Sequence, residues 1–171
     1  MKFIFRITDI LVQQIRNDLR RPHPIAGERV GFLLCRSVVR TELAVVVAAS
    51  YIPVGDDDYV DLPPVATIGS AAIRKALQLA YTCGWSVFHV HMHEHRGVPG
   101  FSGIDRKEMG RLIPDFLKVR PSVPHGAIVL SIDALHGRCW HQSARAGEDL
   151  AVATIVGAPL KVFRSTDAKP V

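Results

Sequence analysis

A chain of 171 residues, 48% hydrophobic and 22% charged, has the composition of one soluble globular domain, with enough chain for a sizeable core and too little for two comfortable ones. The formal charge of +5 is mildly basic, yet Lys and Arg are scattered rather than striped with aromatics between them, which argues against a nucleic-acid track. The one local cluster, Arg16, Arg20, Arg21 and His23, reads as a solvated helix face.

"KFIFRI" at 2–7 alternates apolar and polar residues, as a strand does. Arg6 and Asp9 interrupt the apolar start too early for a signal peptide. Thr8 is placed to cap a helix over 9–21, where Ile10, Leu11, Ile15 and Leu19 recur at helical spacing, and "RPHPIAG" then breaks it. Strands follow at 28–39 and 42–54, arranged as a hairpin, and then a polar loop, "GDDDYVDLPP". Ser70 opens a helix that ends at Gly84. The strand "WSVFHVHMH" comes next, and Ser102-Gly-Ile-Asp starts a helix weakened by Gly110 and Pro114. Strands at 125–133 and 137–142 pair around a turn at Ala134–His136. The segment 149–163 supplies late strand or mixed structure, and 164–171 reads as a tail. Strands alternating with three helices predict one α/β domain.

The cysteines Cys35, Cys83 and Cys139 are odd in number and form no C-x-x-C pair, so a disulfide framework is not expected and a reducing cytoplasm is. No apolar run reaches the ~20 residues of a membrane span.

The strand at 85–93 carries the chemistry. Side chains alternate faces along a strand, so His89, His91 and His93 project to one side, ~6.6 Å apart, while Phe88, Val90 and Met92 pack the other. Burying several unpaired imidazoles together is costly, and a shared metal ion removes that cost. Asp105, at the first turn of the next helix, adds a carboxylate. Two histidines and one carboxylate leave a position open for water, the arrangement of catalytic rather than structural zinc. The same set suits non-haem iron, but zinc requires no oxygen-handling pocket. A base to activate the water must come from elsewhere in the sheet.

The H-x-H pair, a gap and S-x-x-D resemble the signature of the JAMM (MPN-plus, or JAB) metallopeptidases. Their upstream E-x-x-G-x-L is matched by "ERVGFL", with Glu28, Gly31 and Leu33 in that pattern some sixty residues before the histidines. The resemblance spans nearly the whole chain. It implies a single JAB/MPN-type domain over 1–163, a curved mixed sheet flanked by about three helices. It further implies one zinc per chain, with a catalytic water, held by His91, His93 and Asp105. Glu28 would be the general acid/base, and the Ser102 hydroxyl would support the oxyanion. His89 would lie further inside on the same face, with Glu94 and His95 at the rim. The chain departs from the family at Glu94, where proline is usual, and its gap from the second histidine to Ser102 is one residue longer.

The H-x-H-x-H run before a glycine-proline loop is similar to that of deconjugating peptidases in bacterial ubiquitin-like modification operons, some of which serve antiviral defence. This implies a zinc isopeptidase whose substrate is a ubiquitin-like protein and its conjugates, alongside E1- and E2-like proteins of the same operon. Rival readings are another zinc amidohydrolase, a non-catalytic MPN-type scaffold and metal storage. A deaminase needs P-C-x-x-C, which is absent; scaffolds lack zinc ligands; storage leaves Glu28 and Ser102 unexplained.

Overall fold

The structure is a computed structural model that describes residues 1–60, 67–145 and 147–165. Strand β1 (Lys2–Thr8) runs directly into α1 (Asp9–Leu19), where Thr8 Oγ1 accepts the Leu11 N–H as anticipated. Val12, Ile15 and Leu19 form the buried face of α1. The helix stops two residues short of the expected end, because Pro22 disfavours helical backbone at the residue before it. Strands β2 (Val30–Val39) and β3 (Leu43–Pro53) make the predicted hairpin, closed by the Arg40 N–H donating to Leu43 O and bulged at Leu34/Cys35. A 3-10 turn (Asp56–Asp58) leads to β4 (Tyr59–Val60), which pairs with β5 (Thr67–Ile68). This small ribbon was not expected from the sequence; residues 61–66 of the loop lie outside the described residues.

Helix α2 (Ser70–Cys83) ends at Gly84, whose φ of 71° is the left-handed conformation glycine adopts without penalty. Then come β6 (Ser86–Met92), α3 (Gly103–Val119), β7 (His125–Leu130), β8 (Leu135–Trp140), β9 (Glu148–Asp149), β10 (Val152–Val156) and β11 (Lys161–Arg164). Helix α3 continues through Pro114, although an interior proline costs about 3 kcal/mol. It buries Met109, Leu112, Ile113, Phe116 and Leu117, and at ~1.5–3 kcal/mol for each large apolar side chain that burial outweighs the penalty.

The strands form one mixed sheet ordered β11-β10-β1-β3-β2-β6-β7-β8-β9. Helix α3 is the crossover between the parallel neighbours β6 and β7. The sheet curls until its two halves meet: the Leu150 N–H donates to Gly137 O of β8, and the Ala151 N–H to Phe3 O of β1, both at 2.9 Å. Its concave face closes on α1 over a core that includes Phe5, Phe88, Val90 and Ile128. The convex face carries α2 and α3 over Phe32, Val87 and Val129. Strand β6, covered on both faces, is buried throughout. An α/β domain with a curved mixed sheet and three helices agrees with the expected class.

Four expectations need correction. The turn between β7 and β8 lies at 131–134, not 134–136: the Ser131 N–H donates to Ala134 O, and Ser131 Oγ accepts the Ala134 N–H. His136 therefore sits inside β8. The basic cluster is only partly a solvated face: Arg20 and Arg21 are exposed, but Arg16 is 3% exposed and donates to Ser131 O and Ala134 O, while His23 packs on the Tyr59 ring. Glu28 precedes β2 rather than opening it. Arg164 pairs with Val152 in β11, so it belongs to the sheet and not to the expected tail; 166–171 lie outside the described residues. Among the described residues no helix is long and apolar enough to cross a membrane, and the three cysteines are free.

Candidate metal centre

Strand β6 lies between β2 and β7, and its odd-numbered side chains face the helices of the convex side. The histidine row follows: ring centroids of His89 and His91 are 5.6 Å apart, and those of His91 and His93 5.0 Å. His89 and His91 are both buried, at 6% and 2% exposed, while the His93 side chain reaches 18% at the strand's end. The His93 N–H still donates to Leu130 O, so the β6–β7 ladder fixes its backbone.

Asp105 arrives from α3. Ser102 is the N-cap: its Oγ accepts the Asp105 N–H at 3.1 Å, and Asp105 Oδ2 accepts the Ser102 N–H at 2.6 Å. This capping box immobilises the carboxylate before any ligand is considered. Asp105 Oδ1 stands 3.2 Å from His91 Nε2, and Oδ2 3.5 Å from His93 Nε2. Burial opposes its ionisation, but the His91 ring and hydrogen bonding from Ser102 prevail and hold the carboxyl well below the usual range. Asp105 is a carboxylate at neutral pH.

Glu28 enters from the other side. Val30 pairs with His91 across the antiparallel β2–β6 ladder, and the backbone two residues before Val30 brings Glu28 to the outer end of the histidine row. One ligand atom each from Glu28, His91, His93 and Asp105 lies within 4.8 Å of the others, so these four residues can hold a metal ion. His89 is not in this group; burial, then the neighbouring His91, push its pKa down to about 3 and keep it neutral. Glu94 and His95 are exposed at the rim.

The donor set fits a cation on two counts. Both ring nitrogens of His91 are buried without a hydrogen-bond partner, because the 3.2 Å approach to Asp105 is not aligned as a hydrogen bond. Leaving a buried donor or acceptor unmet costs about 1–3 kcal/mol, and ligation of a cation removes that cost. Ligands about 2.0–2.1 Å from a tetrahedral ion stand about 3.3–3.4 Å apart, and each histidine Nε2 lies near that distance from one oxygen of Asp105, 3.2 Å from Oδ1 for His91 and 3.5 Å from Oδ2 for His93.

No protein-family model matches the chain, and no curated protein does.

A groove of about 260 Å³ opens beside Glu28, bounded by Arg20, Gly27, Met92 and Glu94. A larger one, between α2 and α3 at Tyr81 and Lys118, shares no residue with the metal group. The sequence did not single out Arg29 or Tyr59, which hold the Glu28 segment; no local periodicity marks either. Nor did it mark His136, whose ring lies 5.5 Å from that of Phe101, itself 6.2 Å from His91.

Proposed function

We propose that the protein is a zinc-dependent peptidase of the JAMM (JAB/MPN) type that hydrolyses the amide or isopeptide bond after the C-terminus of a ubiquitin-like protein. The observation that carries this reading is the convergence of Glu28, His91, His93 and Asp105 on one point from three separate elements. Storage would need only the histidines and Asp105, and a scaffold would need none of them.

His91, His93 and Asp105 would hold the zinc, which when bound polarises a carbonyl and acidifies water. Glu28 is exposed, unlike the buried His91, so it can take up a proton from an attacking water and return it to the leaving amine. Ser102 accepts with its oxygen from the Asp105 N–H, which leaves the hydroxyl proton free to donate to a developing oxyanion. The groove at Arg20, Gly27 and Glu94 gives an extended chain access to Glu28. E1- and E2-like proteins encoded nearby would supply the conjugates, and the reaction would take place in the cytoplasm.

The test pairs zinc analysis with hydrolysis of fusions in which the cognate modifier carries different proteins beyond its last residue. The wild type should cleave them at similar rates and respond strongly to changes in the last few modifier residues, while Glu28→Gln should be inert. Cleavage that follows the attached protein and ignores the tail overturns the substrate reading. Full activity without zinc overturns the site.

A further inference from the structure

Glu28 reaches the metal ligands although its own carboxylate makes no hydrogen bond or ion pair among the described residues. Its position must come from the backbone, and the next two residues fix that backbone. Arg29 is 4% exposed, and its guanidinium donates in three directions: Nε to Arg21 O at 2.7 Å, Nη2 to Pro22 O at 2.9 Å, and Nη1 to Asp56 Oδ1 at 2.7 Å. The segment between α1 and β2 is thus wrapped around one buried cation, whose charge is met by a carboxylate after β3. Val30 is gripped from the same place, since its N–H donates to Tyr59 Oη at 2.8 Å and the Tyr59 hydroxyl lies 3.4 Å from Val30 O. Asp56 and Tyr59 are joined in one 3-10 turn by the Tyr59 N–H donating to Asp56 O.

Such a cluster is more than surface decoration. A guanidinium with three fixed acceptors is a rigid planar fork, and a lysine at the same place supplies its charge but not its geometry. Burying that cation is worthwhile only where its partners are held in place.

We propose that Arg29, through Asp56 and the Tyr59 turn, is the positioning residue that sets Glu28 against the metal ligands. The inference rests on the peptidase reading for its effect on turnover, whereas the clamp can be tested apart from it. Arg29 lines the groove beside Glu28 but is not one of the residues that can hold the metal. Its loss therefore affects the placement of the proton-transferring carboxylate and not metal retention, for which His91, His93 and Asp105 suffice.

The experiment uses the zinc-loaded protein, with Asp56→Ala as the principal variant because Asp56 is half exposed and its removal leaves the core intact. Arg29→Lys is the companion. Both should keep full zinc content and a KM within about twofold of wild type, while kcat falls tenfold or more. Backbone amides of 27–30 should exchange with deuterium at least tenfold faster, and those of β6 should be unchanged. Unaltered kcat in Asp56→Ala overturns the proposal, as does unaltered exchange at 27–30. If Arg29→Lys does not fold, Asp56→Ala alone decides. Should the wild type show no hydrolysis of any modifier fusion, the peptidase reading fails, and the exchange measurement still decides the clamp.

Discussion

Val30 pairs with His91 in the β2–β6 ladder, and that register carried two residues outward sets Glu28 beside His93. Glu28 and the histidine row are therefore both placed by one strand pairing. Changes that disturb the pairing should act on both.

The first prediction concerns the ligands. Purified protein should hold about one zinc per chain. His91→Ala, His93→Ala and Asp105→Ala should each lose it, whereas His89→Ala should keep most of it, since His89 is not one of the grouped ligands. Metal analysis after dialysis checks this; retention in His93→Ala with loss in His89→Ala would shift the ligand register inward.

Glu28→Gln preserves shape while removing the base, so it should bind zinc and substrate yet hydrolyse extremely slowly. Ser102→Ala should lose a smaller factor, on the order of 10²–10³, if its hydroxyl is one oxyanion donor among several. The same change removes the N-cap of α3, worth about 1 kcal/mol, so rates should be compared well below the melting temperature. Near wild-type turnover in Glu28→Gln is the result that defeats the mechanism.

Gly31, the glycine of "ERVGFL", has a packing role. A Cβ there would overlap the Tyr51 ring, whose hydroxyl donates to Asp18 Oδ2 at 2.6 Å. Gly31→Ala should cost about 1–3 kcal/mol in denaturant unfolding. The cost should shrink in a Tyr51→Leu background, where the ring is gone, and an undiminished cost would mean the overlap is not its source.

His125 makes stability depend on pH. Its Nδ1 accepts the Val87 N–H at 3.0 Å and its Nε2 faces Arg120 O at 2.9 Å, a pairing that only the neutral ring satisfies. Burial brings its pKa down to about 4. Below about pH 6.5 the unfolded chain takes up a proton that the folded chain refuses, so this contribution is complete above pH 6.5 and is lost as pH falls towards 4. By pH 4.5 the loss should reach about 2–3 kcal/mol. His125→Gln, which cannot titrate, should show a flatter profile in urea unfolding at pH 4.5 and 7; parallel profiles would exclude the residue as the source.

What the sequence determined by itself is local. The period-two row of His89, His91 and His93 follows from the pleat of one strand. The Ser102–Asp105 capping box follows from a single helical turn, and the end of α2 from the φ of Gly84. The tertiary structure decided everything that depends on which strands become neighbours. Glu28 meets His93 because β2 lies beside β6, although α2 and much of the chain intervene. Arg16 is buried because the sheet curls until the β7–β8 turn closes over α1. Arg29 becomes a clamp only because Asp56 returns beneath it after β3. Hydrophobic period records which face of an element is covered, but carries no label for the element that covers it. Strand order and long-range hydrogen bonds arise only once the whole sheet has closed.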